Sequence, residues 1–437
     1  MSATFSSLRY PNYRLWFGAA LIANVGTWMQ RIAQDWLVLT DLTDDSGVAV
    51  GITTALQFLP FLLIGPWTGL LADRLPRRQL LMATQGAMGV LALGLGVLVL
   101  SGAAELWHVY AFALGLGVAT AFDNPVRQAF VAELVPPERL SNAVGLNSAS
   151  FNAARLVGPG VAGLLIAAVG SGWVFVINGL TFAATIAAVA LMRPAAMWVK
   201  DRAPRGKGQI LEGLRYVRGR SDIVVIMVVM AVVSTFGLNF QLTSAMMARV
   251  EFERGAGEFG LLGSVLAIGS LTGALLAARR ERPRVRLVIG AAAAFGVATA
   301  VNALMPTYWL YVVTTIPVGL SALTMMTAAN STIQTSIDPV MRGRVMALYM
   351  MVFLGSTPIG APVVGWIGEA FGPRWSILVG SITTLAVALA ATVWAMRSWR
   401  VTVRYRLLRR PHLEVVYLDP PVPAGDEPVP AEQVRPA

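Results

Sequence analysis

The residues of this chain that could do chemistry are polar and ionisable side chains set inside long apolar runs. Arg31 and Asp35 stand four residues apart in the run from Tyr13 to Leu39, so on a helix they share one face. Gln30 and Gln34 flank them, and Asn24 and Trp28 lie close by. Two readings of this group stay open. It is a self-neutralised pair near the extracellular surface, in the outer part of the run, or Asp35 faces a central cavity and binds a proton or a cationic substrate group. Arg155 sits inside a further run, Ser141 to Val169, ahead of Leu-Val-Gly-Pro-Gly-Val-Ala-Gly, and Asn152 in that run is grouped with it as a candidate. A guanidinium at that depth needs a carboxylate, a carbonyl or an anionic ligand. Pro159 removes one helix hydrogen bond, and Gly158, Gly160 and Gly163 allow close packing, so this segment can kink and rock.

A second concentration of charge lies at Gly69 to Arg78, Gly-Leu-Leu-Ala-Asp-Arg-Leu-Pro-Arg-Arg, between two apolar runs. Gly69 permits close approach of a neighbouring helix. Asp73 falls near the hydrocarbon boundary and needs Arg74, Arg77 or a donor from another helix. Asp123-Asn124-Pro125-Val126-Arg127-Gln128 closes a fourth apolar run on the same side. There Arg127 is favourably placed against the negative end of a helix dipole.

The elements that must hold these residues are membrane-spanning helices. The 437 residues are 56% hydrophobic and 13% charged, with a mean hydropathy of +0.64; a soluble domain carries about 25% charged residues. Runs of about twenty apolar residues recur along the chain, whereas a transmembrane barrel needs short alternating strands. No cleavable leader is expected at the start. The absence of cysteine excludes thiolate chemistry, and His108 and His412 alone do not suggest a metal site. There is no phosphate-binding loop, and no constellation supports catalysis. The formal charge of +11 is placed by topology and gives no reason to expect nucleic-acid binding. Lys and Arg cluster in alternate connections, with Arg249, Arg254 and Arg374 as the exceptions, which puts both termini in the cytoplasm.

Spans are expected at about Tyr13 to Leu39, Gly47 to Ala72, Leu80 to Leu100, Trp107 to Phe122, Ser141 to Val169 and Trp173 to Met192. Six more follow, at about Ile223 to Met247, Phe259 to Ala278, Leu287 to Met305, Tyr308 to Asn330, Val345 to Glu369 and Trp375 to Met396. The chain thus divides into a first half (1–192), a basic cytoplasmic linker (193–222), a second half (223–397) and a Pro-rich, acidic cytoplasmic tail expected to be disordered (398–437). The halves repeat at an offset of about 202 to 206 residues. Leu8-Arg9-Tyr10 matches Leu214-Arg215-Tyr216, Gly158-Pro159 with Gly163 matches Gly360, Pro362 and Gly365, and Trp173 matches Trp375. Gly69 matches Gly273, but Ala277 stands where Asp73 stands, so the acid is lost from the second copy. The fold class is an all-α polytopic membrane protein with about twelve helices in two pseudo-symmetric six-helix bundles.

Gly69, Leu71, Asp73, Arg74, Arg77 and Arg78 resemble the signature loop of major facilitator superfamily transporters, with Pro76 in place of the usual glycine. In that superfamily the loop latches the two halves on the cytoplasmic side. An acid at the end of helix four pairs with its arginines, which here implies Asp123 with Arg74 or Arg77. The Gly158-Pro159 segment resembles the helix-five motif of facilitator antiporters, although Ala162 occupies a glycine position. The arginine usual in the middle of helix four has no match between Tyr110 and Ala121, and Arg155 is the candidate to replace it. Gly26-Thr27-Trp28-Met29-Gln30, Trp36-Leu37-Val38-Leu39, Asn124 to Phe130 and Ala154 to Pro159 resemble the efflux branch of macrolide and enterobactin exporters. The resemblance covers residues 5 to 400. It implies proton-linked export of a small amphipathic compound (drug, macrolide or siderophore-like) by a monomer in the bacterial cytoplasmic membrane. The proton gradient would be its energy source, with no cofactor. A transporter of one specific metabolite, an importer included, and a non-transporting scaffold or sensor are the alternatives. Glu369 is expected at the outer interface. The Met246-Met247, Met325-Met326 and Met350-Met351 pairs either pack against other groups or line a cavity with adaptable apolar surface.

Overall fold

In hydrocarbon every backbone N–H and C=O must be paired inside the protein, so a chain of apolar runs folds as long helices. The computed structural model describes residues 3–198, 209–278, 285–398, 401–406 and 412–417. The first half comprises α1 (Pro11–Thr40), α2 (Gly47–Arg74), α3 (Arg77–Leu100), α4 (Leu106–Val131), α5 (Leu140–Val169) and α6 (Ser171–Ala190). A short amphipathic helix, α7 (Gln209–Arg218), lies between the halves. In the second half α8 (Ser221–Val232) and α9 (Phe240–Met246) make one span through π-helical turns at Val233–Gly237 and Met247–Glu251. Then come α10 (Ala256–Ala278), α11 (Val285–Ala303) and α12 (Tyr308–Ser336). A further span is built from α13 (Pro339–Gly355) and α14 (Thr357–Phe371), followed by α15 (Pro373–Ser398).

Eleven helical stretches among the described residues are long and apolar enough to cross a membrane. The remaining long helix, α1, runs for 30 residues and carries Arg14, Arg31 and Asp35, which reduce its apolarity. It is packed between α5 and α6. The duplicated sequence gives duplicated packing. In the first half α2 lies on α4 and α3 on α6; in the second α10 lies on α12 and α11 on α15. Gly170 ends α5 and Gly372 ends α14, both in the left-handed region (φ 85° and 99°) that only glycine adopts without strain, and the paired Trp173 and Trp375 follow.

Several sequence expectations change. The fourth span was expected to end near Phe122, but α4 runs on to Val131 with Pro125 inside it, and Asp123 therefore sits within the helix and is 2% exposed. Pro125 donates no backbone hydrogen bond, and a helix braced by neighbours tolerates that loss. Within the linker, α7 packs on α13, and Arg344 pairs with Glu212 at 2.8 Å. The tail, expected to be disordered, contains an antiparallel ribbon of β1 (Val401–Arg406) and β2 (His412–Tyr417), with Val401 opposite Tyr417. The rest of the tail, at 407–411 and 418–437, lies outside the described residues.

We call the face bearing the α2–α3 turn and α7 the basic face, and the face bearing the α1–α2, α5–α6 and α14–α15 turns the distal face. The two halves meet through α2 on α14 and α5 on α10. Towards the distal face the backbones touch. Gly365 lies against Gly47, Gly51 against Ala361, and Gly163 against Ala256 and Gly260. Trp36 stacks on Phe259 at 5.6 Å between ring centres. Glu369 accepts from Ser46 Oγ (2.8 Å) and Val48 N (3.1 Å), and Arg249 pairs with Asp45 at 3.0 Å. These side-chain hydrogen bonds between the halves, among the described residues, all lie at the distal face.

Candidate functional site: a polar centre in the first half

The distal half of α1 turns its polar residues inward. Gln30, Gln34 and Asp35 are 3%, 1% and 3% exposed in a chain whose surroundings are apolar. Each glutamine is satisfied by a different neighbour. Gln34 Oε1 accepts from Gln57 Nε2 of α2 at 3.1 Å, and Gln30 Oε1 accepts from Asn178 Nδ2 of α6. Such pairs hold helices together where no water competes for them. Gln57 and Asn178 were not singled out from the sequence. The signal was there, a lone amide in Thr-Ala-Leu-Gln-Phe-Leu and in Phe-Val-Ile-Asn-Gly-Leu.

Gln30, Gln57 and Asn178 border a small recess lined also by Thr27, Arg31 and Thr120, with Phe61, Met88 and Phe182 as apolar wall. Asp35 is not among its lining residues, although it lies within electrostatic reach of Arg31. The Arg31 guanidinium lies over Trp28 (5.4 Å) and Phe58 (5.3 Å), and that of Arg155 lies over the same Trp28 ring at 5.6 Å. Phe151 meets Trp28 edge-on at 5.8 Å. Arg31 and Arg155 thus gather on one indole, with Asp35 one turn beyond Arg31 on α1. Asn152 does not join them; its amide bonds back to Ser148 O of its own helix at 2.9 Å. A matching small recess lies in the second half, bordered by Thr243, Ser244, Thr299, Asn302, Tyr311 and Thr315. It draws on spans seven, eight, nine, ten and twelve, as the first draws on one, two, three, four and six. It carries no charged side chain.

A second network lies nearer the basic face. Asp123 Oδ1 accepts from Thr84 Oγ1 and Gln85 Nε2, both at 2.8 Å, and its Oδ2 pairs with Arg127 at 3.0 Å. Arg127 also donates to Asn24 at 3.1 Å and lies over Trp16 at 5.6 Å. Asn24 therefore belongs here and not to the Arg31–Asp35 group. Asp123 was expected to pair with Arg74 or Arg77; with Arg77 the pair is not formed, and the Arg74 side chain lies outside the described residues. Arg77 pairs with Glu133 at 2.5 Å, because α4 continues past Asp123 and delivers Glu133 to the α2–α3 turn instead. Arg78 donates to Val189 O and Ala190 O, covering the carbonyl end of α6. The side chains of Asp73 and Arg74, and the surroundings of Gly69, lie outside the described residues; their counterpart Gly273 sits against Leu320 O.

The helix-five segment serves contact between elements. Gly158 lies against Trp28 of α1, Gly163 against α10, and the Pro159 carbonyl against Gly260. Met246 and Met247 are buried in an apolar cluster shared by the two halves and Met325 in the core of the second half, while Met350 is exposed. Among the described residues no group of three His, Cys, Asp or Glu is placed to hold a metal.

The chain matches the family described as transmembrane secretion effector over residues 2–416. It is 27% identical over 387 residues to the multidrug efflux pump Tap of Mycolicibacterium fortuitum, covering 85% of this chain and 93% of that one. It is 23% identical to the staphyloferrin A transporter of Staphylococcus aureus (86% and 94% covered) and 22% identical to macrolide efflux protein A of Streptococcus pyogenes (86% and 94%). Among solved structures it has the fold of a bacterial homologue of the human lysosomal transporter Spinster (TM-score 0.67, 18% identity, 89% and 98% covered). It also shares the fold of a POT family transporter in complex with 5-aminolevulinic acid (TM-score 0.71, 10% identity, 88% and 96% covered). The chain therefore belongs to the transmembrane secretion effector family, in the efflux branch of the major facilitator transporters, and is a multi-pass membrane protein and not an enzyme.

Proposed function

We propose that the protein is a secondary transporter that exports small amphipathic compounds from a bacterial cell in exchange for protons, by alternating access between its two six-helix halves. The observation that carries this reading is Asp35, a carboxylate 3% exposed in the distal third of α1, one turn beyond Arg31, which itself borders a polar recess. A carboxyl group kept at membrane depth is costly unless it has a use, and exchanging a proton is the use its chemistry offers. The contacts between halves support alternating access. Small residues and a few hydrogen bonds join α2 to α14 and α5 to α10 at the distal face, and such a seam separates without breaking either bundle. The basic face lies in the cytoplasm by the charge rule, so distal closure leaves the centre reachable from inside. The proton gradient is the energy source, no cofactor takes part, and one chain suffices.

The test uses everted membrane vesicles with a respiration-driven pH gradient, to which macrolides, lipophilic cations and siderophores are added. The wild-type protein dissipates the gradient when a transported compound is present, and Asp35→Asn, inserted at the same level, does not. Transport that continues in Asp35→Asn with its proton flux intact would overturn the assignment of the proton to Asp35.

A further inference from the structure

We propose that Arg31 and Arg155, gathered around Trp28, bind an anionic group of the transported compound, a carboxylate borne on an aromatic or otherwise apolar body. This names a substrate class for the centre described above and rests on the export reading for transport, but not for binding.

The argument begins with unbalanced charge. Two guanidiniums, one from α1 and one from α5, lie over one indole at 5.4 and 5.6 Å, close enough to repel each other. Among the described residues neither forms an ion pair or donates a hydrogen bond. Asp35 compensates Arg31 electrostatically from one turn away, and Arg155 has no acid of its own. Two cations and one carboxylate leave one positive charge in excess. A cation over an aromatic ring gains about 0.5–2 kcal/mol. Holding an arginine at membrane depth costs about 2.5–3.5 kcal/mol on the mildest scale. The indole therefore does not settle the balance, and an anion supplied from outside the chain does.

The surroundings supply the rest of a recognition site. Gln34 Nε2, three residues beyond Arg31 on α1, is buried with no acceptor. Unmet groups here are donors, and a carboxylate is an acceptor only. Trp28, Phe58 and Phe151 offer flat apolar faces beside the guanidiniums, suited to the body of an amphipathic acid. Arg31 also borders the first-half recess, whereas the matching recess of the second half has no charged side chain, so the preference belongs to the first half.

The experiment measures binding of 2-naphthoate, its neutral amide and tetraphenylphosphonium to the purified full-length chain in lipid nanodiscs. The expected result is that naphthoate binds at least tenfold more tightly than the amide, with tryptophan quenching that is lost in Trp28→Phe. Arg155→Gln and Arg31→Gln should each weaken naphthoate about tenfold, the loss of one charge-assisted contact, and leave the amide unchanged. Arg155→Lys should retain most of the affinity, which a role in packing alone would not restore. If Arg155→Gln fails to yield folded protein by size exclusion, Arg31→Gln and Arg155→Lys carry the comparison. Equal binding of acid and amide, tighter binding of the phosphonium, or an Arg31→Gln protein with wild-type naphthoate affinity would overturn the proposal. Naphthoate binding in a protein that moves no compound in vesicles would sink the export reading and leave the site standing.

Discussion

Arg77, at the first turn of α3, donates to Glu133, just beyond the end of α4, at 2.5 Å. The two side chains are 18% and 10% exposed, so water screens the pair only in part. Removing one partner leaves the other charge poorly compensated, which costs on the order of 2–4 kcal/mol for a pair so enclosed. Arg77→Gln and Glu133→Gln should each lower the thermal midpoint in detergent, and the double variant should lose less than the sum of the two. Combining Arg77→Gln with Asp123→Asn should instead be additive, since those residues share no contact. Coupling between Arg77 and Asp123 would show that the pairing implied by family resemblance forms in solution.

Asp123 holds three elements at once. Its carboxylate accepts from Thr84 and Gln85 of α3, pairs with Arg127 of its own helix, and through Arg127 reaches Asn24 of α1. Asp123→Ala strands both a buried arginine and two donors, and the expected loss is on the order of 3–5 kcal/mol. Asp123→Asn keeps the shape and part of the bonding and should lose less. Melting curves of the two variants, followed by tryptophan fluorescence, check the order. Equal midpoints for Asp123→Ala and wild type would remove Asp123 from any structural role.

What could be read from the sequence, and what could not, follows from what an apolar run encodes. Its length sets the spans, and Gly-Pro, Gly and Trp in register expose the duplication, so the architecture was legible. Rotation about each helix axis was not, because helices apolar on nearly every side carry no facing signal. Asn24 shows the consequence. It lies six residues before Gln30, and at about 100° per residue that turns it to another side of α1, where it meets Arg127. Helix ends were the other blind spot. Pro125 suggested a stop near Phe122, tertiary packing carried α4 on to Val131, and the acid that reaches Arg77 became Glu133.

Glu369 caps a helix of the opposite half. Its carboxylate accepts from Ser46 Oγ and Val48 N at the start of α2, where backbone donors have no partner inside the helix. Removing the carboxylate in Glu369→Ala should loosen the distal seam without unfolding either bundle. The chain has no cysteine, so Ala49→Cys, at a site 4% exposed beside that seam, reports opening to a membrane-impermeant maleimide. One capping bond at an exposed position is worth on the order of 0.5–1 kcal/mol, so labelling should quicken about two- to fivefold. An unchanged rate would mean that the seam is held by the glycine contacts alone.

Those glycine contacts set the last prediction. A Cβ added at Gly260 of α10 would fall on the Pro159 carbonyl and within 3.0 Å of Gly163 Cα, both backbone atoms of α5 that cannot turn aside. Gly260→Ala should therefore keep α5 and α10 apart at the distal face, the position they must reach for the centre to open only to the basic face. Gly257→Ala, one turn away on α10, meets nothing within 4 Å and is the matched control. The expected outcome is a transport rate in vesicles at least about tenfold lower for Gly260→Ala, a shift of about 1.4 kcal/mol in the balance of states. Maleimide labelling of Ala49→Cys should rise in the same protein, while Gly257→Ala matches wild type in both assays. Wild-type transport and labelling in Gly260→Ala would mean that the two helices never need this closeness, and alternating access through the α5–α10 seam would fall with it.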